Sequence, residues 1–166
     1  ENAFGGVAQA YADNVPVLLI PGGSTADRVG VHPGFDAVPN YQHITKWAGR
    51  IETVERIPEM VSRAFTHLKH GRPGPVLLEL PGDVGHAEVP ENVEEYEPVK
   101  VYKSYAVSED VRDIVTALLK ADRPIIVAGQ GTLYAEAWDE LIELAELINV
   151  PVMTSLAGKS AFPEDH

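Results

Sequence analysis

Arg72 is the residue best placed by its neighbours to do chemistry. Gly71 precedes it and Pro73-Gly74-Pro75 follows, a surround that fixes the backbone beside a planar, multi-donor head suited to a phosphate or a carboxylate. The plainer alternative is an arginine that pairs with a nearby acid. A second candidate is Gly129-Gln130-Gly131, directly after the apolar run Pro124–Ala128. Glycines there let a phosphate approach the backbone N–H groups that open the next helix. The full G-x-G-x-x-G pattern is not met, because its third glycine falls on Tyr134 and the following strand ends in Thr154-Ser155 without an acid for a ribose diol. This argues against a standard NAD site. The turn either meets a nucleotide in another manner or is simply tight.

Other chemistry is harder to assemble. The six histidines stand at 32, 43, 67, 70, 86 and 166 without H-E-x-x-H or comparable ligand spacing. His67 and His70 are expected as solvated residues favoured by a helix C-terminal dipole. Gly22-Gly23-Ser24 only echoes a G-x-S-x-G elbow, and the absence of cysteine removes thiol nucleophiles, thiolate metal sites and disulfides together. No catalytic residue and no metal-ligand set is expected within this chain.

Parallel-sheet elements are needed to position Arg72 and the glycine turn. Residues 3 to 13 suggest a short buried helix with a Gly5-Gly6 pair for close packing. Val15–Ile20 is a continuous apolar run, as in a strand covered on both faces. Residues 21 to 42 show neither helical nor strand periodicity, and loops of that length are often functional. A short strand follows within 43 to 53. Val61, Ala64, Phe65 and Leu68 then share one helical face, Pro58 suits the first turn and Gly71 the end. Val76–Leu80 reads as a buried strand. Between Asp83 and Glu97 stand six acidic residues and no Lys or Arg, with Pro90 and Pro98 as breaks. This stretch is either a linker or a solvated excursion of a single domain.

Beyond it, Ser108 is an N-cap candidate and Val111, Ile114, Val115, Leu118 and Leu119 form an apolar stripe. Pro124–Ala128, a glycine turn, a helix with Trp138, Leu141, Ile142 and Ala145 on one face, and Val150–Ser155 complete a βαβ unit. Its glycines lie at the carboxyl end of the first strand, where open α/β sheets bind ligands. The expected fold class is therefore α/β, with two open parallel-sheet units.

The composition narrows the function. The chain has 166 residues with 45% hydrophobic content, enough for a packed core. Lys plus Arg number 13 against 25 acids, a formal charge of −12, which argues against a nucleic-acid partner. No apolar run approaches the roughly 20 residues that span a bilayer, so no membrane partner is expected and the location expected is cytoplasmic. The chain opens at Glu1 without Met and stops at His166, as a processed form or an excerpt would.

Longer stretches carry a family likeness. NAFGGVAQAYADNVPVLLIPG at 2 to 22, ITKW at 44 to 47, AFTHLKHGRPGPVLLELPGDV at 64 to 84, PIIVAGQG and VPVMTSLAGKSAFPEDH together resemble the thiamine diphosphate-dependent enzymes of the acetolactate synthase type. The resemblance implies that residues 1–90 are the flavodoxin-like, C-terminal portion of a pyrimidine-binding domain, 91–105 an acidic linker, and 106–166 the start of a Rossmann-like middle domain. It implies a parent enzyme that uses thiamine diphosphate and Mg2+ on 2-keto acids, decarboxylating with carboligation, and that forms a homo-oligomer. The family's activating glutamate lies upstream of the matched region and its diphosphate motif downstream, so the chain alone is expected to be inactive. FAD enters by the same route: a flavin-contacting position matches Asn14, the GRPGP arginine matches Arg72, and the middle-domain glycine nest matches Gly129, Gln130 and Gly131. Two departures bear on the donor and acceptor substrates: Phe35-Asp36-Ala37 stands where acetolactate synthases carry Phe-Gln-Glu, and Gly82 replaces a common lysine. The competing functional class is a non-catalytic α/β nucleotide-binding or subunit-interaction module.

Overall fold

The computed structural model describes residues 1–93 and 95–166; Glu94, within the expected linker, lies outside them. The chain divides into two units, Glu1–Lys103 and Ser104–His166. The division falls inside the stretch 91–105.

The first unit contains α1 (Phe4–Ala12), β1 (Leu18–Leu19), β2 (Gly22–Gly23), α2 (Ala37–Tyr41), β3 (Trp47–Arg50), α3 (Ile57–Lys69), β4 (Val76–Pro81) and α4 (Gly82–Gly85). All pairings are parallel and all run to β4. Leu18 and Leu19 face Val76 and Leu77, while Gly22 and Gly23 face Leu80 and Pro81. The sequence offset is the same in both, so β1 and β2 are one edge strand interrupted at Ile20-Pro21. Strand β3 holds the other side, with Trp47 opposite Val76 and Arg50 opposite Glu79.

Period-two alternation along β4 divides the core. Val76 and Leu78 join Met60 and Ala64 of α3, together with Ile51, Val54 and Val84. Leu77 points the other way, into Val7 of α1 and Ala37 and Tyr41 of α2. Each fully buried Leu or Val on this strand contributes about 1.5–3 kcal/mol, which is why a sheet of so few strands holds helices on both faces.

Several expectations are corrected. Helix α1 is not buried as a whole: only Val7 is, and a Cβ on Gly5 or Gly6 would meet nothing within 4 Å. Val15–Ile20 is covered on both faces only at Leu18 and Leu19, with Val15, Val17 and Ile20 exposed, because this strand pairs on one side alone. The aperiodic segment 21 to 42 contains β2, a 3₁₀ turn at Ala26–Arg28 and α2. Ala37 and Tyr41, four residues apart, anchor α2 to the core.

The second unit contains α5 (Ser108–Lys120), β5 (Ile126–Ala128), α6 (Gln130–Ala135), α7 (Trp138–Ile148) and β6 (Val152–Thr154). Strands β5 and β6 are parallel, Ile126 opposite Val152. Ala145, Val150 and Phe162 form its core, Phe162 arriving from the tail beyond a 3₁₀ turn at Leu156–Gly158. Helix α7 closes on Asn149 at φ 52°, a left-handed cap that asparagine tolerates. Ser108 is not the N-cap of α5; Val107 is, without a side-chain hydrogen bond. The apolar stripe of that helix has no buried residue.

Candidate functional site

A cavity of about 510 Å3 is lined by Tyr11, Ala12, Asn14, Thr45, Lys46, Arg72 and Pro73. Its walls come from the end of α1, the approach to β3 and the loop between α3 and β4. Asn14 takes φ 56° just past α1, a conformation open to asparagine because its short amide side chain bonds locally. Its Oδ1 accepts a hydrogen bond from Nε of Arg72 at 2.5 Å, across 58 positions of sequence. Gly71, at φ 68°, turns the chain out of α3 so that Arg72 reaches this position. Among the described residues, no carboxylate lies within ion-pairing distance of Arg72. The structure thus brings together two of the expected site residues, Asn14 and Arg72, and gives the arginine an amide partner in place of an acid.

Gly129, Gln130 and Gly131 belong to the second unit. They are not a free turn: Gly129 caps α6, while Gln130 and Gly131 form its first two residues. Gln130 donates from Nε2 to the Tyr134 hydroxyl at 3.0 Å. A Cβ on Gly131 would meet nothing within 4 Å, so its outer side is open to solvent. The tight glycine is Gly158, where a Cβ would stand 2.6 Å from the Ala128 carbonyl oxygen and 2.8 Å from the Gly129 carbonyl carbon. Its α-carbon is pressed against the junction of β5 and α6.

Four residues around the first unit's sheet, Lys46, Arg50, Glu79 and Asp83, were given no site role by the sequence analysis. Lys46 has its ammonium on the carbonyls of His67 and His70, and burial lowers its pKa. Glu79 is 4% exposed on the central strand and pairs with Arg50 of β3 at 3.3 Å. Burial raises its pKa against the opposing pull of that guanidinium. Arg50 also donates to the Ser24 carbonyl at 2.5 Å, and Asp83 accepts from the Ala26 amide at 2.9 Å. That backbone bond is the chief reason the Asp83 pKa is lowered. Arg50 at the end of β3 and Asp83 of α4 thereby hold the segment following β2 at the carboxyl end of the sheet. The signal for Glu79 was available: an acid inside a continuous apolar strand needs a buried partner.

His67 corrects an expectation. It is not a solvated helix-end residue but stacks on Trp47, ring centroids 5.5 Å apart and planes within 7°. Burial, then the charges of Lys46 and Arg63, lowers its pKa. No group of three or more His, Asp or Glu able to hold a metal occurs among the described residues, and no helix among them is long and apolar enough to cross a membrane.

Comparison with known proteins agrees with this architecture. Residues 111–166 match the family described as thiamine pyrophosphate enzyme, central domain. A Methanocaldococcus jannaschii protein assigned as an acetolactate synthase large subunit is 37% identical over 99% of this chain and 29% of its own length. Glyoxylate carboligase of Escherichia coli O157:H7 is 38% identical over 95% of this chain and 27% of its own. A Mycobacterium smegmatis structure assigned to the thiamin diphosphate-dependent enzymes superposes with a TM-score of 0.85 at 28% identity, over 99% of this chain and 32% of that one. The chain spans about three-tenths of the length of these relatives. A match that runs through both units in sequence and in fold shows that the chain belongs to the thiamine diphosphate-dependent enzyme family, in its acetolactate synthase-like branch.

Proposed function

We propose that this chain is part of a thiamine diphosphate-dependent enzyme that decarboxylates a 2-keto acid and joins the remaining fragment to an acceptor. The observation that carries this reading is the 37% and 38% identity to an assigned acetolactate synthase subunit and a glyoxylate carboligase over nearly the whole chain. The first unit corresponds to the later part of the pyrimidine-binding domain and the second to the start of the middle domain. When bound, thiamine diphosphate supplies the carbanion that attacks the keto carbon so that carbon dioxide can leave. In this reading the chain's part is to bind and position the cofactors, with Mg2+ held by the diphosphate-binding portion of the complete enzyme.

The pocket of Asn14 and Arg72 fits a phosphate-bearing portion of FAD. It offers a guanidinium with no carboxylate partner among the described residues, an amide and a volume of about 510 Å3. A bidentate guanidinium suits a diphosphate oxygen pair. In the second unit, Gly129, Gln130 and Gly131 are proposed as cofactor-binding residues of the middle domain, and the outer side of Gly131 has room for a ligand group. The enzyme is a cytoplasmic homo-oligomer.

The test uses the complete enzyme with thiamine diphosphate, Mg2+ and either pyruvate or glyoxylate. Release of carbon dioxide with a carboligated product is expected. A complete protein that binds nucleotide but turns over neither acid would favour a non-catalytic module. In light scattering, a sharp monomer at micromolar concentration would refute the homo-oligomer.

A further inference from the structure

The loop that carries Arg72, His70–Pro75, is tied at both ends to one residue. The backbone amide of Lys46 donates to the Pro75 carbonyl at 2.8 Å, and its ammonium donates to the His70 carbonyl at 2.7 Å and to the His67 carbonyl. Between these ties the lysine stem lies across Gly74, where a Cβ would stand 3.0 Å from Cγ and 3.2 Å from Cδ. No carboxylate among the described residues lies within ion-pairing distance of Lys46. The carbonyls at the end of α3 carry the negative end of the helix dipole and lack partners inside the helix. They are the counter-charge of this half-buried cation.

We propose that Lys46 is a positioning residue: it spends its charge on the end of α3 and clamps the loop so that Arg72 is presented to Asn14 and to the ligand. Two cations line the cavity, yet on this assignment only Arg72 addresses the anion. Two of the ammonium's three donors are already engaged. Holding the loop before binding removes an ordering cost that the ligand would otherwise meet. The assignment rests on the dinucleotide reading of the Arg72 pocket for its functional consequence, but its structural half does not.

The experiment separates the two. In the ligand-free enzyme, the Nε–H resonance of Arg72 reports its bond to Asn14, and an Asn14→Ala control identifies it. Lys46→Met is expected to accelerate solvent exchange of that proton about ten-fold or broaden it away, as losing a net bond of about 1.4 kcal/mol would do. In a titration of the complete enzyme with FAD, Lys46→Met is expected to weaken binding about two- to ten-fold, the range for re-ordering a long side chain. Lys46→Met combined with Arg72→Ala is expected to bind no more weakly than Arg72→Ala alone. Additive losses would overturn the assignment, since Lys46 would then meet the ligand itself. An unchanged Arg72 resonance would overturn it as well. A wild-type complete enzyme that ignores FAD while the resonance responds would refute the dinucleotide reading and uphold the clamp. Should Lys46→Met not fold, Lys46→Arg carries the same test, because it keeps the charge but alters the stem over Gly74.

Discussion

Replacing Gly158 by alanine should injure the second unit through the backbone alone. The new Cβ would lie 2.6 Å from the Ala128 oxygen, 2.8 Å from the Gly129 carbonyl carbon and 2.9 Å from the Gly129 α-carbon. None of these atoms sits on a flexible side chain. Ordinary contact begins near 3.4 Å, so the turn must retreat by several tenths of an ångström. The Ala128 oxygen already accepts the Ser155 amide at 2.9 Å, and that bond lengthens as the strand end moves. Overpacking of this kind costs about 1–3 kcal/mol, and restricting the unfolded chain returns less than about 1 kcal/mol. A net loss of up to about 2.5 kcal/mol is expected. Gly131→Ala is the matched control: it sits inside α6 with nothing within 4 Å of its Cβ, so it should gain roughly 0.5–1 kcal/mol in helix propensity. Urea titration in a Trp47→Phe background makes Trp138 of α7 the single fluorescent reporter. A Gly158→Ala midpoint at or above that of the parent chain would refute the steric argument, whatever Gly131→Ala does.

If the pocket takes FAD, Arg72→Ala should weaken binding by about 1.5–3 kcal/mol, the value of a hydrogen bond to a charged group; an unchanged titration curve would remove the site. The raised pKa of Glu79 makes its contribution to stability fully present below its unfolded value near 4.5 and lost as pH rises through the folded value. Glu79→Gln should therefore gain on the parent as pH rises from 4.5, and a pH-independent difference in Tm would contradict this. His67 has the opposite sense: its pKa is lowered from 6.5, so stability is retained above that value and declines as pH falls below it. His67→Phe, which can keep the stack on Trp47, should abolish that decline, and an unaltered slope in thermal melts would assign it to another group.

The elements that sequence reasoning located best were those with a long period or a long apolar run. Helix α3 has Ala64 and its neighbours spaced on one face, and β4 is nearly all aliphatic. Helix α2 was illegible because its five residues include Pro39 and its anchors, Ala37 and Tyr41, find their pocket only after β4 is in place. The exposure of the α5 stripe was equally hidden, since periodicity tells which face is apolar but not what covers it. At the site, Arg72 stood out through its glycines and prolines. Lys46 did not, because a lysine that binds two carbonyls 21 and 24 positions away leaves no local pattern. Gly158 was silent for the same reason: the atoms it touches lie about 30 positions earlier in the chain.

The arrangement of β4 between its neighbours also dictates an order of events. Every strand pairing in the first unit includes β4, whose first residue, Val76, is 58 positions after its partner Leu18 and 29 after Trp47. On a growing polypeptide, no hydrogen bond of this sheet can form until Val76 has left the ribosome, and the last pair, Gly23 with Pro81, must await Pro81. Until then Leu18, Leu19 and Trp47 have no sheet to join, and closing both loops at once carries the entropic cost of non-local contact. Nascent chains arrested before Val76 should consequently engage chaperones through these strands, and release from them should coincide with the emergence of β4.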